Sequence, residues 1–210
     1  NAQMGNMKTI LDLIEDEDDK DANKEMLSYL RIVSNNLNET IVNLTQLVQI
    51  QNNSNIPIQS LDLNLYLNKT FDLVRNYKNH DKVEIINNVP DGILVDFNPA
   101  YLESVLLNFT TNAIKYCNPN KPNVIKYSFS IENGKKTLSI SDNGLGIDLK
   151  KHGDSLFGMY KTFHEHKEAH GLGLYITKNQ IETMKGEVSV ESEVGVGTTF
   201  KIIFNDDLCN

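Results

Sequence analysis

The stretch VLLNFTTNAIKY, residues 105–116, constrains the fold of this chain more than any other part of the sequence. Read as a helix, it carries one apolar stripe at Leu102, Val105, Leu106, Phe109 and Ala113. Asn108, Asn112 and Lys115 then follow one another on an adjoining face. Two carboxamides offer oxygen ligands to a hard divalent cation, and the ammonium group offers positive charge to a phosphate. The pattern fits a nucleotide and metal site, or a solvated helix face in an asparagine-rich chain.

The acidic balance of the chain limits the partners it can have. Its 210 residues carry a formal net charge of −8, which argues against nucleic acid as the main partner, because duplex binding relies on Lys and Arg. The two cysteines, Cys117 and Cys209, show neither metal-ligand spacing nor a disulfide framework, which is typical of free thiols in a reducing compartment. No apolar run is long enough to span a bilayer and no signal peptide is visible. We therefore expect a cytoplasmic protein, or the cytoplasmic part of a membrane-anchored one.

Residues 1–52 predict a helical hairpin. Apolar residues recur at helical spacing from residue 4 to 14 and again from 23 to 50, with an acidic connection between the two segments. Such narrow apolar seams are usually buried against a second copy, so we expect a homodimer with a four-helix bundle. The alternative is an antiparallel pair packed on its own globular domain. The first segment is shorter than its partner, which favours truncation upstream of Asn1.

Residues 60–206 predict a second domain, which follows a polar linker at Gln51–Ser60. Turn residues at 90–92 and 133–134 separate strands, and the segment 124–131 alternates apolar and polar residues, with Ile131 the last on its apolar face. We expect an α+β fold: one mixed sheet with helices on one face, a two-layer α/β sandwich. The predicted helices are 61–77, one starting near Asn98 and 171–184; the predicted strands are 83–89, 93–97, 124–131, one through Leu138 and Ile140, 187–192 and 198–204.

Three glycine motifs follow the asparagine helix. The first, Ser141–Ile147, comes at the end of a predicted strand, where the Asp142 carboxylate can accept a hydrogen bond from an exocyclic amine such as that of adenine. The second, Gly171–Leu174, opens a helix, where free backbone N–H groups favour an anion. The third, Gly195–Thr198, adds a hydroxyl. The long segment 149–170 between the first two is typical of a lid or a disordered loop.

Taken together, these motifs resemble the nucleotide-binding domain of sensor histidine kinases, part of the ATPase superfamily shared with gyrase, Hsp90 and MutL. NFTTNAIKY resembles the N box of that family, SDNGLGI the G1 box, LFGMYKTF the F box, GLGLYITK the G2 box and GVGTTF the last glycine box. The resemblance covers residues 61–204. It implies a dimerisation and phosphotransfer hairpin at 1–52, an ATP-binding catalytic domain at 60–206, and ATP and Mg²⁺ as cofactors.

The resemblance also implies a role for each matching residue. Asn112 is expected to be a ligand of Mg²⁺, with Asn108 supporting the metal and the phosphates and Lys115 contacting phosphate. Asp142 would read the adenine amine, and Tyr116 would pack by the ribose or the base. The residues expected to bind ATP are Asn108, Asn112, Lys115, Tyr116, Asp142, Gly144, Gly146, Ile147, Lys161, His164, Gly171, Leu172, Gly173, Leu174 and Thr198.

The segment 149–170 is expected to act as the lid of this site. The resemblance implies that Lys161 and His164 reach the phosphates from it, while the G2 box presents backbone N–H groups to them. The histidines in and beside this segment, His152, His164, His166 and His170, could instead form a metal cluster. No Cys or paired carboxylate completes such a ligand set, which favours polar lid residues.

Asn108 separates two reactions within the superfamily. Hydrolysing members carry a Glu there as general base for water, whereas a carboxamide cannot take a proton at neutral pH. Transfer of the γ-phosphoryl group to a His on the hairpin, and then to an Asp of a response regulator, fits better. No His precedes His80, so the acceptor is expected upstream of Asn1 or has been lost. The rivals are an ATP-hydrolysing enzyme and a nucleotide-binding pseudokinase that serves as a dimeric scaffold.

Overall fold

The computed structural model describes residues 24, 26–31, 33–34, 41, 45, 56–75, 83–132, 134–153, 156–158 and 172–205. The described residues between 24 and 45 are helical. Most of the predicted hairpin at 1–52 lies outside the described residues, so its pairing and the expected four-helix bundle stay predictions. Within the parts that the structure describes, no helix combines the length and the apolar character needed to cross a bilayer.

The second domain alternates short strands with helices. The strands are β1 Gln59–Asp62, β2 Val83–Asn88, β3 Leu94–Phe97, β4 Asn123–Glu132, β5 Lys135–Asp142, β6 Glu187–Glu193 and β7 Gly197–Ile203. The helices are α1 Leu63–Val74, α2 Pro99–Lys115, α3 Leu149–His152 and α4 Gly173–Thr183. The predicted first helix, 61–77, therefore starts later, because Asp62 caps α1 by accepting a hydrogen bond from Leu65 N at 3.1 Å.

The main sheet has five strands in the order β2-β4-β5-β7-β6. β2 runs parallel to β4 and the other neighbours are antiparallel, so the predicted mixed sheet is confirmed. The prediction of a single sheet was wrong. β3 leaves the main sheet and pairs with β1, in register from Gln59 opposite Phe97 to Asp62 opposite Leu94. β1 lies where the sequence predicted a linker and a helix start.

Among the described residues, the three longer helices of this domain, α1, α2 and α4, cover one face of this sheet. The register aligns Tyr127, Ile140 and Phe200 in one cross-strand row, and all three side chains are buried. Phe71 of α1 packs edge-on against Tyr127, with ring centroids 5.0 Å apart, and Phe109 of α2 stacks on Phe200 at 4.5 Å. These contacts confirm the two-layer sandwich.

The apolar face of β4 ends sooner than its alternation predicts. Tyr127 is fully buried, but Ile131 is 67% exposed. Ile131 pairs with Lys136 at the end of the hairpin, next to the turn at Gly134, whose φ is +80°. The aromatic contact from α1 is made to Tyr127, not to this end of β4. The alternation of apolar and polar residues therefore continues beyond the part of the strand that the helices cover.

The asparagine helix, α2, forms as predicted, because its capping residues and its apolar stripe all favour a helix over this range. The side chain of Asn98 accepts a hydrogen bond from Tyr101 N at 3.1 Å, and Pro99 occupies the first turn, where no N–H is needed. The five residues of the predicted stripe are all buried. The helix ends at Tyr116, whose N–H donates to Asn112 O. Asn108 and Asn112 are thereby held, half-buried, at the edge of the core.

Candidate functional site

Asn108 of α2 contacts α4, and Asn112 contacts Asn108. Asn108 Nδ2 donates to Thr177 Oγ1 of α4 at 2.6 Å, and Asn112 Nδ2 lies 3.4 Å from Asn108 Oδ1. Gly173, the first residue of α4, approaches so closely that a Cβ there would lie 2.6 Å from Asn108 Oδ1. The contacts of Asn108 with Thr177 and Gly173 are not those of a solvated helix face, so the simpler interpretation of the pattern does not hold for Asn108.

The C-terminal end of α2 is tied to the loop after β5. Tyr116 O accepts a hydrogen bond from Leu145 N at 3.0 Å, within the first glycine motif. Lys115 Nζ lies 5.8 Å from the centre of the Tyr116 ring. Lys115 and Tyr116 are both half-buried, and they lie about one turn after Asn112 at the end of α2. The end of α2 therefore contributes a cation and a ring beside the glycine loop.

Asp142 is the last residue of β5, and the register places it in one row with Ile125 and Thr198 on the face that the helices cover. Its Oδ1 accepts hydrogen bonds from Gly144 N at 2.8 Å and from Thr198 N at 3.3 Å. Among the described residues, no group donates to its Oδ2. Burial raises the pKa of the Asp142 carboxyl, although the two backbone hydrogen bonds and the nearby Lys121 ammonium act in the opposite direction.

Glycines surround this carboxylate because backbone comes too close for side chains. A Cβ on Gly144 would lie 2.5 Å from Tyr116 O. Gly146 has a φ of +69°, and a Cβ there would overlap the carbonyl oxygen of Glu193. The first glycine motif therefore closes a tight corner between the end of α2, the end of β5 and the β6–β7 turn.

A matched pair of glycine substitutions should separate backbone conformation from close approach. Gly195→Ala is expected to cost about 1–2 kcal/mol, because the φ of +81° is left-handed and no atom lies within 4 Å of the added Cβ. Gly146→Ala should cost about 1–3 kcal/mol more, since its Cβ also meets backbone. Urea unfolding of both variants measures the difference. Equal losses would contradict the close approach.

The third glycine motif completes the corner around Asp142. Thr198 is buried, and its hydroxyl lies 2.9 Å from Ser192 Oγ, which also accepts from Ile147 N at 2.8 Å. Lys121 Nζ donates to Gly195 O at 3.2 Å, which ties the loop before β4 to the same turn. The Ser192 hydroxyl thus joins Ile147 to Thr198, both expected to bind ATP, and the Thr198 N–H extends this network to Asp142.

The start of α4 is the remaining described part of the site. Leu172 precedes the helix without any side-chain hydrogen bond to its first turn, so the N–H groups there have no side-chain cap. The Leu172 side chain itself is buried and that of Leu174 packs against the core. These leucines therefore can offer only backbone N–H groups, as expected. Lys161, His164 and Gly171 lie outside the described residues, so their predicted roles stay predictions.

Sequence reasoning did not identify three residues that organise this site. Thr177 bonds to Asn108, Ser192 joins Ile147 to Thr198, and Lys121 bridges to the third motif. No pattern within the sequence pointed to them, because each contact depends on how two separate elements are aligned in space. Thr177 carries the clearest available signal: it lies one turn into a helix that begins at a glycine motif.

The donor set of the site suits a nucleotide with a hard cation. It brings together carboxamide oxygens, a carboxylate with one open oxygen and uncapped helix N–H groups. Within the described ranges, no three His, Cys, Asp or Glu side chains gather as ligands. The carboxamide oxygens of Asn108 and Asn112 are of a kind that could hold Mg²⁺. These features and the one-sided mixed sheet define the class of two-layer α/β domains that bind nucleotides.

Comparison with known proteins identifies the family. A family model described as the histidine kinase-, DNA gyrase B-, and HSP90-like ATPase matches residues 97–208, which is more than half of the chain. The chain therefore belongs to this family, and its relatives place it with the catalytic domains of sensor histidine kinases. The signal transduction histidine-protein kinase ArlS of Staphylococcus aureus is 34% identical over 113 residues, covering 52% of this chain and 25% of that protein. The aligned part thus spans about a quarter of that curated relative.

Solved structures with the same fold are also histidine kinases. The Acinetobacter baumannii histidine kinase AdeS superposes with a TM-score of 0.75 at 19% identity, covering 98% of this chain and 95% of that one. Full-length ShkA, solved in complex with AMPPNP, gives a TM-score of 0.67 at 22% identity and covers 86% of this chain and 38% of that one. At such identities the structural likeness concerns the fold alone.

Proposed function

We propose that this chain is the core of an ATP-dependent histidine autokinase, in which Mg·ATP binds between α2, the end of β5 and the start of α4. The observation that carries the proposal is the Asp142 carboxylate, which has Oδ1 held by two backbone N–H groups and Oδ2 open, inside a corner that only glycines fit. An adenine amine is the kind of donor that such an open oxygen accepts. Membership of the ATPase family supports this assignment.

The remaining residues divide between the base and the phosphates. Thr198 and Ile147 line the base corner with Asp142, and Tyr116 lies at its edge. Lys115 and the N–H groups at the start of α4 supply positive charge for the phosphates. Asn112 and Asn108 would hold Mg²⁺ through their carboxamide oxygens. When bound, the ion would neutralise phosphate charge during transfer.

Asn108 favours phosphoryl transfer over hydrolysis. Its carboxamide donates to the Thr177 hydroxyl, and no carboxylate stands at this position to take a proton from water. We propose that a nitrogen of a His imidazole on the helical hairpin attacks the γ-phosphorus while the bond to the β-phosphate oxygen breaks and ADP leaves. That His is proposed to lie upstream of Asn1. An Asp of a response regulator would then receive the phosphoryl group.

The same proposal covers the assembly and the location of the chain. The hairpin would form a homodimer, and the receiver domain of a response regulator would be the other partner. The names of the relatives support this setting, because they are signal transduction histidine kinases. Phosphoryl transfer requires ATP, which is available in the cytoplasm, so we propose that the chain lies on the cytoplasmic side. Neither nucleic acid nor a membrane segment of this chain enters the mechanism.

Phosphoryl transfer from radiolabelled ATP tests the proposal. The chain is incubated with γ-labelled ATP and Mg²⁺, alongside the same chain extended at its N-terminus to include the whole hairpin. The extended chain should acquire label that is lost in acid and kept in base, as expected for phosphohistidine, and this chain should not. ATP binding without label on either would favour the pseudokinase, and steady release of phosphate without label would favour an ATPase.

The affinity for ATP should depend on pH through Asp142. Burial raises the pKa of this carboxyl, so on lowering the pH it takes up a proton above 3.8, the ordinary value, and loses acceptor strength towards the adenine amine. The sign for folding is opposite: protonation relieves the cost of a buried charge, so this residue favours the folded state more at low pH. ATP titrations from neutral to acidic pH are made on the unaltered chain and on Asp142→Asn. Protonation of ATP itself affects both chains equally, so it cancels in the comparison. Identical pH profiles for the two chains would contradict this role.

A further inference from the structure

A chain of hydrogen bonds runs across the interface of α2 and α4 and ends at the proposed metal ligand. Asn112 Nδ2 points to Asn108 Oδ1 at 3.4 Å, and Asn108 Nδ2 donates to Thr177 Oγ1 at 2.6 Å. Thr177 is 1% exposed, and its hydroxyl makes no other hydrogen bond within the described part of the chain. The Thr177 hydroxyl therefore lies at the buried end of this series of hydrogen bonds, and Asn112 lies at its outer end.

The direction of these hydrogen bonds matters, because one end of a carboxamide donates and the other accepts. Rotating an Asn side chain by half a turn exchanges a donating NH₂ group for an accepting oxygen with little change in shape. In the structure Asn108 Nδ2 donates to the Thr177 hydroxyl, a group that can accept or donate, and this arrangement leaves Asn108 Oδ1 facing Asn112. That oxygen attracts Asn112 Nδ2, and the Asn112 Oδ1 atom is left without a partner among the described residues. A hard cation binds the oxygen end of a carboxamide and is repelled by the NH₂ end.

We propose that Thr177 is a positioning residue that anchors Asn108 in this arrangement, holds its Oδ1 beside Asn112 Nδ2 and so presents the oxygen of Asn112 to Mg²⁺. Thr177 does not touch the nucleotide or the metal and acts only through Asn108. The inference rests on the proposed function, since it assigns a task to Thr177 within the same Mg·ATP site. Groups that orient a metal ligand from behind typically change metal affinity by about 10- to 100-fold when they are removed.

The same helix interface offers a matched control. Gln180 lies one turn after Thr177, and its Nε2 donates to Ser104 Oγ at 3.1 Å, one turn before Asn108. Like Thr177, Gln180 is 1% exposed. It forms a second buried polar contact between α2 and α4, and in the described part of the chain no hydrogen bond connects it to either asparagine. Gln180→Met removes this contact while keeping the length of the side chain, so it reports what helix packing alone contributes.

The test measures the preference of the chain for Mg·ATP over metal-free ATP. Affinities for ATP are determined by calorimetry in Mg²⁺ and in EDTA for the unaltered chain, Thr177→Val, Thr177→Ser and Gln180→Met. Thr177→Val keeps the shape and loses the hydroxyl, and it should lower the preference by about tenfold while affinity in EDTA changes little. Thr177→Ser restores a hydroxyl and should restore the preference. Gln180→Met should leave the preference as it is.

The outcomes separate this inference from the proposed function. A preference for Mg·ATP that survives in Thr177→Val, or that falls equally in Gln180→Met, overturns the inference and leaves the proposed function standing. Failure of the unaltered chain to bind ATP overturns both. A second measurement needs no variant: the side-chain amide protons of Asn108, followed by NMR, should exchange with water more slowly than those of the exposed Asn120. Equal exchange rates overturn the hydrogen bond on which the inference depends.

Discussion

Replacing Asn112 with alanine is expected to lower the affinity of the chain for Mg·ATP by about a hundredfold, or about 2.7 kcal/mol of binding free energy. Among the described residues, Asn112 Oδ1 has no hydrogen-bond partner, and Asn112 Nδ2 lies 3.4 Å from Asn108 Oδ1, the side chain that reaches α4. The substitution removes that oxygen and also the NH₂ group that contacts Asn108. Calorimetric titration with a non-hydrolysable ATP analogue measures the loss, which should be large in Mg²⁺ and small in EDTA.

The control for this substitution is the same change at Asn68, an exposed position of α1. Asn68→Ala should bind Mg·ATP as the unaltered chain does. Both variants should unfold at nearly the same temperature, because neither side chain belongs to the apolar core. If Asn112→Ala loses as much affinity in EDTA as in Mg²⁺, the residue contacts the nucleotide rather than the metal. Unchanged affinity in both conditions would contradict any role at the site.

Replacing Asp142 with asparagine is expected to lower the affinity for ATP by about a hundredfold, because a charge-assisted hydrogen bond of about 1.5–3 kcal/mol is lost. The amide oxygen can still accept from Gly144 N and Thr198 N, as Oδ1 does now. The NH₂ group then replaces Oδ2 and faces the adenine amine, donor against donor. Inosine triphosphate, whose base carries an oxygen in place of that amine, should lose much less. The measurement is the ratio of the two affinities in each chain.

Folding provides the check on that result. Since burial raises the pKa of the Asp142 carboxyl, its ionised form costs folding free energy at neutral pH, and the neutral asparagine should leave the chain at least as stable. Thermal unfolding of Asp142→Asn at neutral pH tests this. A stable variant that has lost ATP but kept inosine triphosphate fits base recognition by Asp142. Equal losses for both nucleotides would show that Asp142 only shapes the loop.

The helix at the centre of the site was predictable because its signals are local. Asn98 and Pro99 mark its start, the apolar period sets its buried face, and both act within a few residues of the chain. β1 could not be predicted in the same way. Its four residues carry no strand pattern, and they form a strand only because β3 lies alongside, from Gln59 opposite Phe97 onward. For the same reason, the separation into two sheets depends on contacts between distant segments.

The site shows the same division between local and distant information. The motifs placed Asp142 at a strand end and Asn108 on a helix, and the fold brings both into one region of the domain. What the motifs could not show is which atoms remain available. Thr177 accepts a hydrogen bond from the Asn108 carboxamide, and the Thr198 N–H occupies one oxygen of Asp142. These partners follow from the packing of α4 against α2 and of β7 against β5, which no single segment encodes.

The most direct test is a structure of the chain with Mg²⁺ and a non-hydrolysable ATP analogue. We expect the adenine amine within hydrogen-bond distance of Asp142 Oδ2, the ion bound by Asn112 Oδ1, and the phosphates at the start of α4. A nucleotide bound elsewhere would contradict the site. Adenine bound away from Asp142, or a metal with no asparagine among its ligands, would contradict the residue roles on which the proposed mechanism is built.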